Sequence, residues 1–141
     1  MEQDLAKALE LYRSSAGAGY PPALCALGLC YELGTGVQED KARAVELYRQ
    51  AAEKGDARAQ CNLGYCYYVG IGVEENNEEA ARWFAKAAEE GYPRAMQLLG
   101  ECYDRGYGVE QDVDRALRLF QEASDKGNVP AMCSLGLCYE L

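Results

Sequence analysis

The sequence predicts an all-α solenoid of about four stacked 36-residue helix-turn-helix units, eight helices in all. Three observations predict it. First, ALCALGLCYELGTGV at 23–37 returns as AQCNLGYCYYVGIGV at 59–73, as AMQLLGECYDRGYGV at 95–109 and as AMCSLGLCYEL at 131–141. A fixed period of this length is the signature of stacked repeats. Second, apolar residues between these stretches fall at helical spacing. Third, helix start and stop signals keep the same interval.

Each unit reads as two helices, a Leu-Gly-containing first type and an Ala-rich second type. The chain opens on a second-type helix at about 4–18, with equivalents at about 40–54, 76–90 and 112–126. In the second copy Ala44, Leu47, Tyr48, Ala51 and Ala52 make the i, i+3, i+4, i+7, i+8 stripe of an amphipathic helix. Ala80, Trp83, Phe84, Ala87 and Ala88 repeat it, as do Ala116, Leu119, Phe120 and Ala123. Asp4, Asp40, Asn76 and Asp112 are N-cap candidates, and Asn76 with Glu79 resembles a capping box. Gly19, Gly55, Gly91 and Gly127 suit the left-handed position that ends a helix.

First-type helices follow at about 21–33, 57–69, 93–105 and 129–140. Pro21 and Pro93 stand at the first helical position, and Asp56 and Asn128 serve as caps at the matching boundary. The helices end at Gly34, Gly70 and Gly106, each followed by a Gly-x-Gly-Val reversal whose valine turns back to the core. Gly28, Gly64, Gly100 and Gly136 fall in mid-helix, where glycine costs about 1 kcal/mol against alanine. The recurrence of that cost implies close approach of a neighbouring helix, while Leu63, Tyr67, Tyr48 and their equivalents fill wider gaps.

Composition narrows the function. The formal net charge is −9 and no basic cluster exceeds two residues, which argues against nucleic acid or an anionic membrane as partner. No run of 18 apolar residues occurs, and the opening MEQDLAKALE lacks the pattern of a signal peptide, so a cytoplasmic setting is expected. The spacing of the seven cysteines does not suit disulfides within a helix, and leaves only cross-helix pairs that spacing does not define. Cys25 and Cys30, Cys61 and Cys66, and Cys133 and Cys138 are five apart, a rise of about 7.5 Å on one helix. A disulfide needs Cα atoms within about 6.8 Å. Free buried thiols in a reducing compartment are expected.

The motifs Leu27-Gly28…Tyr31 and Ala44…Tyr48, Ala80…Phe84, Ala116…Phe120 resemble the tetratricopeptide pattern, with a period of 36 and a Gly-x-Gly-Val link. The full pattern, A-x-x-x-LG-x-x-Y-x-x-G-x-GV then KA-x-x-x-Y-x-x-AA-x-x-G, is similar to the Sel-1-like repeat family over essentially the whole chain. The resemblance implies a right-handed α-α superhelix over 1–141, with units at about 1–37, 38–73, 74–109 and 110–141, that scaffolds protein complexes. A secreted, cysteine-rich branch of that family joins the two helices of a repeat by disulfides. Here both cysteines of a pair fall on one helix and Gln97 breaks the series, so the chain departs from that branch. The chain stops at Leu141, before the next Gly-x-Gly-Val loop, without a polar capping helix. A fragment of a longer protein is expected, with end-to-end pairing through uncapped helices as the alternative to groove binding.

Catalysis is not expected. Without histidine there is no Ser-His-Asp or Cys-His arrangement, and most zinc-enzyme sites are excluded. The Cys-x4-Cys pairs lack the companion pair of a zinc ribbon, and the Gly-x-Gly loops lack the strand before and helix after of a phosphate cradle. No cofactor and no metal are expected. What remains is a surface. Along the first-type helices, Arg58, Asn62, Tyr65 and Val69 differ from Arg94, Leu98, Glu101 and Arg105, from Pro130, Ser134, Leu137 and Leu141, and from Pro22, Ala26, Leu29 and Leu33. Their spacing of four, three and four sets each group on one helical face. The resemblance puts that face on the concave side, flanked by Tyr68. The partner-binding residues expected are therefore Arg58, Asn62, Tyr65, Tyr68, Val69, Arg94, Leu98, Glu101 and Arg105. The occupant expected is a peptide or partner helix of another protein.

Overall fold

The computed structural model describes residues 2–128. Among them are seven helices and no strand: α1 Glu2–Gly17, α2 Pro21–Leu33, α3 Lys41–Glu53, α4 Ala57–Val69, α5 Asn77–Glu89, α6 Pro93–Arg105 and α7 Val113–Asp125. The eighth helix expected, over about 129–140, lies outside the described residues, as do Cys133, Cys138 and Gly136. The first-type helices α2, α4 and α6 start and end where the sequence places them.

Helix starts are enforced by side chains. Asp40, Asn76 and Asp112 accept hydrogen bonds from the backbone N–H of Arg43, Glu79 and Arg115, and Asp56 accepts from Ala59. Asp4 does not act this way, because α1 begins at Glu2 and takes it into its first turn. At the other three copies the cap's own N–H donates to the carbonyl of Tyr31, Tyr67 or Tyr103, at 2.9, 2.8 and 2.9 Å. That bond fixes where each of these helices starts. The same bond halves the capping box. The Asn76 N–H is already used by Tyr67, and the Glu79 carboxylate pairs with Arg82 at 3.3 Å.

Helix ends repeat as well. In α3 the Gly55 N–H reaches the Ala52 carbonyl and the Asp56 N–H reaches Ala51, with Gly55 at φ 93°. This is a Schellman stop, and it recurs at Gly19, Gly91 and Gly127. The second glycine of each reversal also serves packing. A Cβ on Gly72 would come within 2.4 Å of the Lys41 carbonyl, and one on Gly108 within 2.1 Å of the Asn77 carbonyl. Each loop therefore lies directly on the start of the preceding second-type helix. Val37, Val73 and Val109 pack half-buried against the core, as expected.

Successive helices pack on one another, and α2 also meets α4 across a repeat. The tightest joints pair a first-type helix with the second-type helix after it. There the rings of Tyr48, Phe84 and Phe120 lie on Gly28, Gly64 and Gly100, so close that a Cβ would meet them at 2.8, 2.8 and 2.6 Å. The three rings are at most 2% exposed. The core runs along the chain as a strip, with Leu63 and Cys66 in one cluster and Cys61, Phe84 and Leu99 in the next.

Cys25, Cys30, Cys61, Cys66 and Cys102 are free and buried. Burial pushes the thiols of Cys61, Cys66 and Cys102 up to about 12 and that of Cys25 to about 11. They pack as small apolar groups and stay protonated at neutral pH.

Candidate functional site: an aromatic strip on the first-type helices

Five of the nine residues expected to bind a partner enter one network of contacts along α4 and α6. Asn62 on α4 donates to the Cys25 sulfur on α2 at 3.5 Å, and its carbonyl accepts from Arg94 on α6 at 3.4 Å. Three successive first-type helices are thus linked side by side through Asn62. The Arg94 guanidinium lies 4.9 Å from the ring centre of Tyr65. The Tyr65 ring stands 6.5 Å from Tyr68, and Tyr68 sits edge-on to the buried Phe84 at 5.8 Å. Tyr68 then reaches Tyr107 at 6.2 Å, which carries Arg105 at 6.0 Å. The result is a half-exposed strip, Arg94–Tyr65–Tyr68–Tyr107–Arg105, crossing the joint between two repeats.

Charge at the strip is mixed. Glu101 is half-buried, and burial raises its carboxyl; the charge of Arg105 and a 2.6 Å hydrogen bond from Gln97 act in the opposite direction. Burial, then the Glu101 carboxylate, pushes the Tyr68 phenol up to about 12. Among the described residues the ion pairs are Lys41–Glu39, Arg43–Glu46 and Arg82–Glu79, so Arg58, Arg94 and Arg105 each lack a carboxylate within salt-bridge range.

Leu98 is a correction. It is 6% exposed and belongs to the same buried cluster as Cys61. Its register, shared with Asn62, is the joint between first-type helices. A polar side chain there reaches the neighbouring sulfur and stays half in solvent, whereas leucine sinks into the core. Arg58 and Val69 are exposed at the two ends of α4. In the first copy Pro22 and Leu33 are exposed and Ala26 and Leu29 half-buried; the fourth set, from Pro130, lies outside the described residues. Tyr107 is the residue that the helix-face comparison missed. It is the variable position of the Gly-x-Gly reversal, where Thr35 and Ile71 stand in the other copies. The same comparison between copies, extended from helices to loops, finds it.

Among the described residues, clefts of 350–510 Å³ open elsewhere that none of the nine residues lines. Two lie beside the reversals at Gln38 to Asp40 and Glu110 to Asp112, and two lie between successive second-type helices. No group of acidic or cysteine side chains among the described residues could hold a metal ion. No described helix is long and apolar enough to cross a membrane.

Fold and strip together define an α-solenoid repeat protein with an exposed aromatic face. Sel1 repeat matches residues 1–20, 21–56, 57–92 and 93–128, and the chain belongs to that family. The matched units open on the first-type helix, so the joint built on Gly28, Gly64 or Gly100 falls inside one repeat. Among solved structures the chain is similar to c5321, described as a protective antigen present in uropathogenic Escherichia coli strains, with 41% identity and a TM-score of 0.91. The match covers 96% of this chain and 29% of that one. A Sel1 repeat protein from Oxalobacter formigenes is 39% identical at a TM-score of 0.87, over 93% of this chain and 52% of that chain. The chain therefore spans about half or less of these two relatives. Helicobacter pylori cysteine rich protein B shares the fold at 23% identity and a TM-score of 0.72, over 96% and 97% of the two chains. No curated protein matches. The solenoid is of a kind that generally serves as a protein–protein interaction scaffold.

Proposed function

We propose that the face built by α4 and α6 binds a segment of another protein, as an extended peptide or a helix, and that the chain acts as a non-enzymatic scaffold or adaptor. One observation carries this reading: Tyr65, Tyr68 and Tyr107 form a contiguous aromatic strip, flanked by Arg94 and Arg105, that the core does not consume. Tyrosine and arginine are the residues on which binding energy concentrates at interfaces. Arg58 and Arg94, which have no ion pair among the described residues, favour a segment that brings its own acidic groups. Five buried free thiols suit a reducing compartment, and a cytoplasmic setting fits the proposal.

The test is selection from a random peptide library on the full chain, followed by affinity measurement against a Tyr65→Ala, Arg105→Ala double variant. Selected peptides should bind the double variant at least about tenfold more weakly, since each contact of this kind contributes on the order of 1 kcal/mol or more. Equal binding to both proteins sinks the assignment of this face. Light-scattering mass, read over a range of concentration without peptide, should stay that of a monomer. A mass that climbs instead supports end-to-end assembly through terminal helices.

A further inference from the structure

Leu47, Trp83 and Leu119 share one register of the second-type helices, and so face the same kind of joint. At the joint of α3 with α5 the Trp83 indole fills the space. It is 5% exposed and clusters with Leu63 and Cys66 of α4. Lys86 and Arg82 lie over it, 4.5 and 5.8 Å from the ring centre. At the joint of α5 with α7 the same register holds leucine, and a cleft of about 350 Å³ remains open. Ala85, Ala88, Leu99 and Leu119 line it with Tyr103, and so do Glu89, Arg115, Arg118 and Glu122; Arg118 holds the register of Arg82, and Glu122 that of Lys86.

The chain thus carries both a filled and an unfilled version of one cleft, and the filled version states what fits. We propose that the cleft between α5 and α7 docks an aromatic side chain of a partner protein, an indole above all. The site is separate from the strip on the first-type faces. Complementarity is twofold. Four of the lining residues are aliphatic, and Arg118 stands in the register from which Arg82 lies over Trp83, within reach of the face of an inserted ring. The occupant is argued from Trp83, the side chain that fills this register where the joint is closed.

Indole titrated into the isotope-labelled full chain tests this by amide chemical shifts. Saturable shifts are expected at Ala85, Ala88 and Leu119. Leu119→Trp, which fills the cleft from within, should abolish them. Arg118→Glu leaves the fold alone, being an exposed position, and should weaken indole by about threefold, the range of an exposed cation–π contact. Trp83→Leu should add a second set of saturable shifts around Ala52 and Leu63. The proposal is overturned if indole moves none of the α5 and α7 amides, if it shifts Tyr65 and Tyr68 instead, or if Leu119→Trp and Arg118→Glu bind it as well as the unaltered chain does.

Discussion

The joint inside a repeat is built three times from the same parts, whereas the joint between successive second-type helices is built in two different ways. Inside the repeat a glycine always receives a ring, Tyr48, Phe84 or Phe120, with no room for a methyl group between them. Between second-type helices the corresponding residues are Leu47, Trp83 and Leu119, and the space is filled once and left open twice. The contrast is one of clearance. Where a Cβ would meet a ring under 3 Å away, neither partner can drift without the other. Where a cleft opens to solvent, leucine and tryptophan both fit. A solenoid is thus specified at its internal contacts and free to diversify at its outer ones.

The sharpest way to break that contrast is to remove a ring. Phe84→Ala should cost about 3–5 kcal/mol, read as a shift in urea denaturation, because Phe84 is fully buried. Gly64→Ala alone should cost about 1–2 kcal/mol, an overpacking penalty partly offset by better helix propensity. Combined, the two should cost less than their sum, since the methyl group then enters the space the ring has left. Strict additivity would mean that glycine is there for some reason other than the ring.

The next largest effect is expected at the outer joint. Trp83→Leu makes the middle joint a copy of its neighbours, at a cost of about 1–2 kcal/mol from the apolar area re-exposed and the lost contact with Lys86. The Trp83 ring nitrogen is buried without a hydrogen-bond partner among the described atoms, which keeps the cost below that of an ideally placed indole. The converse change, Leu119→Trp, should stabilise by about 0.5–1 kcal/mol by covering the floor of its cleft. Denaturation midpoints moving in opposite directions, with unchanged slope, are the expected pair of results. If Leu119→Trp destabilises, the two joints are not equivalent and the filled one is no template for the open one.

The same contrast explains what was legible in the sequence. Helix limits were readable because caps and stops are local: a carboxylate or amide oxygen three residues before an N–H, a glycine at positive φ. Asp4 misled because α1 already runs from Glu2; its equivalents are held by the carbonyl of a tyrosine nine residues upstream, a tertiary partner that a local rule does not include. The close approach at Gly64 was readable because four copies accepted the same helix penalty. The surface was readable only in part. Differences between copies pointed to Tyr65 and Arg94, but variation alone does not separate a face in solvent from a joint that tolerates two chemistries. Asn62 and Leu98 are such a joint, and Leu98 is core. Trp83 read as one more apolar member of a stripe, because spacing carries no measure of how much room its register leaves.

The inner layer has one exception to its own regularity, and it supplies the smallest effect. Gln97 stands where Cys25 and Cys61 stand in the other copies, and its amide donates to the Glu101 carboxylate at 2.6 Å. Burial raises the Glu101 carboxyl above its ordinary 4.5, while Arg105 and then Gln97 hold the rise in check. Gln97→Cys restores the register and removes the donor, so the carboxyl should titrate higher still. The sign of the stability effect follows from proton linkage. A carboxyl raised by folding favours the folded state fully below its unfolded value, and that contribution is lost as pH rises through the folded value. Gln97→Cys should therefore lose more stability than the unaltered chain as pH rises above the ordinary carboxyl value. Carbon-detected titration of the Glu101 carboxyl reads the shift directly. A lower titration point in the variant would show that the hydrogen bond from Gln97 stabilises the protonated acid and not the carboxylate, and would make Gln97 part of the core's regular packing in spite of its different side chain.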